Sequence, residues 1–119
     1  LIDLVLSVKN KNILSQKIIW KEDPCITIVA AAKGYPEKYQ VETEIKNLEN
    51  ITTDSTQQLF HAGTINKNGK ILANGGRVLN ATSSATSLKQ ARDKAHRMLN
   101  LVDWDDMYFR KDIGWRVIK

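Results

Sequence analysis

Leu59-Phe60-His61-Ala62-Gly63-Thr64-Ile65 and Lys70-Ile71-Leu72-Ala73 flank Asn66-Lys67-Asn68-Gly69. Asn-Gly is the strongest short-range hairpin signal, because both residues tolerate the positive φ that a tight type I′ turn requires. The pattern predicts a β-hairpin, and with it an antiparallel sheet. Gly75-Gly76 then interrupts, and Arg77-Val78-Leu79-Asn80-Ala81-Thr82 resumes as a strand. The two glycines mark a sharp bend or bulge whose backbone amides no side chain shields. Upstream, Cys25-Ile26-Thr27-Ile28-Val29-Ala30-Ala31-Ala32 is apolar and nearly continuous, and reads as a buried strand ending at Lys33-Gly34. Downstream, Ser87 with Gln90 three residues on has the form of a capping box. Leu88, Ala91, Ala95, Met98, Leu99 and Val102 then keep one helical face, predicting a helix over 88–102.

The remaining segments are less patterned. Leu1, Ile2, Val5, Leu6 and Val8 recur at helical spacing, so residues 1–9 read as the tail of an amphipathic helix begun upstream. Tyr35 to Asp54 is polar with isolated Val41, Ile45 and Leu48, which suits a loop holding a short strand. The end, Tyr108-Phe109-Arg110-Lys111-Asp112-Ile113-Gly114-Trp115-Arg116, is aromatic and basic, with Gly114 allowing a turn. Strands outnumber helices and pair locally, so the expected class is α+β, a partly open, barrel-like antiparallel sheet with one main helix.

The chain has 119 residues and a mass of 13.5 kDa, enough for one domain. Its 42% hydrophobic and 26% charged residues are ordinary globular usage, which excludes disorder and collagen-like or repeat architectures. One cysteine makes neither an internal disulfide nor a cysteine metal cluster, and no apolar run approaches the ~18 residues of a membrane span. The expected setting is soluble and cytoplasmic. Leu1 in place of Met, with no basic leader behind it, looks like a cut from something longer. The net charge of +5 makes nucleic acid or a phosphorylated small molecule a partner to test. The lysines are dispersed, however, which suits a solvated basic surface.

Few residues suggest chemistry. No HExxH, CxxC, GxSxG or phosphate-loop pattern occurs, and the histidines are His61 and His96. His96 lies off the apolar helix face and reads as a surface residue, and Cys25 reads as a packed, inert thiol. His61 is either a satisfied structural histidine or a ligand-facing one. Gly75-Gly76-Arg77 is the best candidate, since glycines admit an anion to the backbone amides while a guanidinium clasps phosphate with two parallel hydrogen bonds. A hairpin corner with a solvated arginine accounts for the same residues.

Four motifs in order, Ala31-Ala32-Lys33-Gly34-Tyr35-Pro36, Phe60-His61-Ala62-Gly63-Thr64, Gly75-Gly76-Arg77-Val78-Leu79 and Arg110-Lys111-Asp112-Ile113-Gly114-Trp115-Arg116, resemble the C-terminal domain of the phosphoribosylamine–glycine ligases. The resemblance implies that residues 1–14 are the last helix of a preceding ATP-grasp region and that 15–119 form the C-terminal domain. These ligases join glycine to 5-phosphoribosylamine in purine synthesis, using ATP and magnesium (or manganese) to activate the glycine carboxylate. The family's nucleotide and metal ligands lie upstream of Leu1, so the chain is expected to hold no ATP, no metal and no catalytic residue, and to be inactive alone.

What the resemblance leaves here is substrate binding. Gly75, Gly76 and Arg77 occupy the stretch where related enzymes place arginines on the ribose phosphate, and His61, Gly63 and Thr64 match the neighbouring strand. Lys33, Gly34, Tyr35, Arg110 and Asp112 match without an assigned role. The family usually has glycines where Glu42 and Asn47 stand, and Asn47 is the one expected to keep a left-handed turn. The implied partners are the missing domains and the two small substrates, with no nucleic acid and no membrane. The alternative is a stand-alone basic module that binds nucleic acid or another acidic partner.

Overall fold

The computed structural model describes residues 1–118 and contains the expected hairpin, built from β4 (Thr64–Lys67) and β5 (Lys70–Ala73) in register from Thr64↔Ala73 to Lys67↔Lys70. Asn68 at φ 54° and Gly69 at φ 78° make the turn, and the Gly69 N–H donates to Asn66 Oδ1 at 3.2 Å. The arm expected to run from Leu59 to Ile65 is two strands. β3 (Gln57–His61) stops before Ala62-Gly63, and β4 starts beyond it in another sheet.

With β1 (Cys25–Ala32), β6 (Arg77–Ser84) and β7 (Met107–Tyr108), β3 forms a four-stranded sheet ordered β3-β6-β1-β7. β2 (Thr43–Ile45), β5 and β4 form a second sheet in that order, and every pairing is antiparallel. The chain therefore changes sheet four times, entering and leaving β2 through the 33–56 connections and entering and leaving the hairpin at Ala62-Gly63 and Asn74-Gly75-Gly76. The corners lie back to back: a Cβ on Gly63 would stand 2.6 Å from the Arg77 carbonyl oxygen and 3.2 Å from Gly75 Cα. Close backbone approach, rather than left-handed φ, is what requires glycine there. Among the described residues the two sheets do not close into a barrel.

One helix, α2 (Leu88–Leu101), covers one face of the four-stranded sheet with Ala91, Ala95, Met98 and Leu99. β1 is consequently half-buried, not buried throughout: Ile26, Ile28, Ala30 and Ala32 face the core, while Cys25, Thr27 and Val29 are exposed. Cys25, expected to be packed, is an exposed thiol for this reason. The Gln90 N–H donates to Ser87 Oγ at 3.3 Å, as a cap should, but the Gln90 side chain accepts from Thr86 Oγ1 at 2.6 Å. Only half of the capping box forms. Buried Ser83 is satisfied by donating to the Ala91 carbonyl at 2.6 Å.

The 35–54 loop holds β2 as its short strand, tied down where Trp104 Nε1 donates to Thr43 Oγ1 at 2.8 Å. Asn47 takes φ 64° as expected, but Glu42 does so too, at φ 59°. Its N–H donates to the Ala73 carbonyl at 2.7 Å and its carboxylate pairs with Lys67 at 2.9 Å, which fixes a conformation that its side chain alone disfavours. At the other end, α1 (Ile2–Lys9) leaves Leu1, Ile2, Val5, Leu6 and Val8 exposed. Leu14 at 100% and Trp20 at 82% exposure continue this apolar surface. No described helix is long and apolar enough to cross a membrane.

Candidate functional site

A register shift decides where Arg77 points. Along β1 and β6, Ile28 pairs with Ala81 and Ala30 with Leu79, all on the face under α2. Regular pairing would next set Val78 against Ala31 and Arg77 against Ala32, placing the arginine in the core. Instead Ala31 pairs with Arg77, so Val78 is the extra residue of a bulge. A bulge re-aims the side chains beyond it. Arg77 emerges on the open face, and Val78 is fully buried.

On that face Ala31 also pairs with Tyr108, so Arg77, Ala31 and Tyr108 form one row across three strands. A shallow cleft of about 260 Å³ opens over this row, walled by Val29, Tyr35, Phe109 and Arg110. Gly76 explains the position of Tyr35, because a Cβ there would lie 2.0 Å from Tyr35 Cδ2. The ring therefore rests on the glycine. The turn that delivers it is anchored by the Tyr35 N–H donating to the Ala32 carbonyl at 3.0 Å and the Ala32 N–H donating to Gly76 at 2.8 Å.

The charges in the cleft differ in commitment. Arg110 donates from Nε and Nη2 to the two Asp112 oxygens at 2.9 and 2.7 Å. Those hydrogen bonds hold the Asp112 carboxyl below the usual carboxylate range and raise Arg110 above its own. Arg77 has no ion-pair partner among the described residues. The Gly75 and Gly76 N–H groups likewise donate to no backbone carbonyl among the described residues. An uncommitted guanidinium thus stands beside aromatic walls, which is suited to an oxyanion carried on a small organic body. The two glycine amides lie next to it in the chain but do not line the cleft, and Gly76 is buried beneath the Tyr35 ring.

The sequence candidates divide into two groups. Gly75, Gly76 and Arg77 stand together, with Gly63 against them through its backbone. His61 pairs with Leu79, on the opposite face from Arg77, and its Nδ1 is 2.9 Å from Thr64 Oγ1 across the Ala62-Gly63 corner. Of the six site candidates Arg77 alone lines the cleft; His61, Gly63, Thr64, Gly75 and Gly76 do not. Tyr108 was not singled out from the sequence, and its signal was its register position opposite Ala31. His96, expected on the surface, is half-buried with its ring 5.7 Å from Phe109. Among the described residues no three His, Cys, Asp or Glu side chains gather as a metal site.

The family model described as "Phosphoribosylglycinamide synthetase, C domain" matches residues 25–116. A phosphoribosylamine–glycine ligase of Brucella melitensis is 44% identical over 100 residues, covering 84% of this chain and 23% of the relative. The chloroplastic ligase of Arabidopsis thaliana is 37% identical over 102 residues, covering 84% of this chain and 19% of that protein. Among solved structures, the phosphoribosylamine–glycine ligase of Thermotoga maritima superposes with a TM-score of 0.76 at 27% identity, over 93% of this chain and 26% of that one. The chain thus spans about a quarter of the length of the relatives it matches.

Proposed function

This chain belongs to the phosphoribosylglycinamide synthetase C-domain family, and on that premise we propose that it is the substrate-binding C-terminal domain of a ligase joining glycine to 5-phosphoribosylamine. The observation that carries the reading is the β6 bulge, which turns Arg77 out beside the uncommitted Gly75 and Gly76 amides. Arg77 and those amides hold the 5-phosphate, and the Tyr35 and Tyr108 walls flank the ribose. Arg110, committed to Asp112, shapes the wall without taking the phosphate. Gly63, His61 and Thr64 build the corner against which Gly75 rests.

ATP and magnesium belong to the rest of such a ligase. Among the described residues no three His, Cys, Asp or Glu side chains gather to hold the metal. Residues 1–14 close the ATP-grasp region, and its body covers the apolar surface of Leu6, Leu14 and Trp20. The chain alone turns over no substrate.

The test is Arg77→Ala in the intact ligase, with thermal stability measured alongside. Loss of a charge-assisted hydrogen bond, about 1.5–3 kcal/mol, raises KM for phosphoribosylamine by about 10- to 150-fold. Binding that is equal in ground and transition states leaves kcat and the ATP constant nearly unchanged. An unaltered phosphoribosylamine KM would return Arg77 to the solvated surface.

A further inference from the structure

A second cationic cleft runs along the flank of α2, divided from the Arg77 cleft by Phe109, which lines both. Arg92, His96 and Asn100 follow one another at four-residue spacing, so the helix stacks them in one stripe. The segment after β7 roofs them with Phe109 and Lys111, enclosing about 300 Å³. Two side-chain atoms here are buried without a hydrogen-bond partner, Arg92 Nε and His96 Nε2. Both belong to residues that line the cleft, and buried polar atoms are ordinarily paired, so an unpaired donor and an unpaired imidazole nitrogen beneath one cleft ask for a partner that a small shift of either side chain would let them reach. With Lys111 at the mouth, that partner is an anion.

We propose that the cleft of Arg92, His96, Asn100 and Lys111 binds a phosphate group, separately from the Arg77 site. Arg92 Nε and a protonated His96 Nε2 donate from the floor, the Asn100 amide from the end of the stripe, and the Lys111 ammonium from the mouth. The surroundings bear on the proton. Burial first, then the Arg92 charge, holds His96 below its ordinary value, and Lys111 acts in the same direction. Asp93 and the Arg110 carbonyl act the other way, and Asp93 lies 3.6 Å from Arg92 Nη2. Without an anion His96 is therefore mostly neutral near pH 7. A bound dianion reverses the balance, so binding takes up a proton and strengthens as pH falls.

The experiment is calorimetric titration of the intact ligase carrying Arg77→Ala, which removes the other site's guanidinium. Sulfate is the first probe, because its charge is constant where phosphate itself titrates. Saturable binding is expected, strengthening several-fold from about pH 8 to about pH 5.5. It weakens about tenfold or more in Arg92→Gln, and its pH dependence flattens in His96→Gln. Lys111→Gln, at an exposed position, weakens sulfate binding without endangering the fold. Inorganic phosphate and ribose 5-phosphate then identify the source: tighter binding of the ester assigns a sugar phosphate, and equal or weaker binding assigns free phosphate. No saturable binding, or binding indifferent to both Arg92→Gln and Lys111→Gln, would overturn the proposal.

Discussion

Gly76 and Tyr35 show how a residue's role emerges only in three dimensions. Gly75-Gly76-Arg77 was legible as a bend with unshielded amides; the bend is there, but Gly76 is buried, because the Tyr35 ring covers it. That Gly76 is also the seat of an aromatic ring was not legible, since Tyr35 lies some forty positions upstream and only the folded sheet brings them together. Gly76→Ala places a methyl group within 2.0 Å of the ring, which swings away, opening the wall beside Arg77. In a double-mutant cycle, Gly76→Ala therefore costs less once Tyr35→Ala has removed the ring, with a coupling of about 0.5–3 kcal/mol by urea denaturation. Additive losses would mean that the ring does not rest on the glycine. The face on which Arg77 lies was equally hidden, because a one-residue bulge inverts every side chain beyond it and alternation alone cannot locate the extra residue.

Among the elements, the hairpin turn and α2 were the most legible, because each is specified by local chemistry: Asn68-Gly69 by positive φ, α2 by its Ser87 cap and apolar stripe. The division of 59–65 into β3 and β4 was not, since Ala62-Gly63 suits a strand until a second glycine corner backs onto it. β1 looked buried on both faces because β-branched runs suit either case, and only the count of covering helices decides. Local chemistry also sets where β3 begins. Asp54 Oδ1 accepts from the Thr56 N–H at 2.6 Å, Thr56 Oγ1 at 2.7 Å and the Gln57 N–H at 3.0 Å. Those bonds, the Thr56 hydroxyl foremost, hold the Asp54 carboxyl below the usual carboxylate range. A depressed carboxylate stabilises the fold above its unfolded pKa, and that contribution is lost as pH falls through the folded value. Asp112, lowered by Arg110, has the same sign. Asp54→Asn should therefore narrow the difference in denaturation midpoint between about pH 6 and about pH 3, leaving the Asp112 share. An unchanged difference would show that the turn carboxylate does not contribute.

At the scale of the whole molecule, one helix on a four-stranded sheet leaves the second face open, and two glycine corners peel the hairpin away to pair with β2 in a second sheet. The open face then carries the Arg77 cleft, and α2 with the segment after β7 carries the second, so both clefts follow from where a single covering helix stops. His61 fell to the far side because β3 meets β6 where pairing is still regular, short of the bulge, and Thr64 lies beyond the corner on β4 of the second sheet. The central claim is that the bulge aims Arg77 and the Gly75-Gly76 amides at the ribose phosphate. The most direct measurement is a crystal structure of the intact ligase with glycinamide ribonucleotide bound. The account predicts the phosphate within hydrogen-bond reach of the Arg77 guanidinium and at least one of the two glycine amides, with Tyr35 or Tyr108 against the ribose. A phosphate held elsewhere, with Arg77 left to solvent, would contradict it.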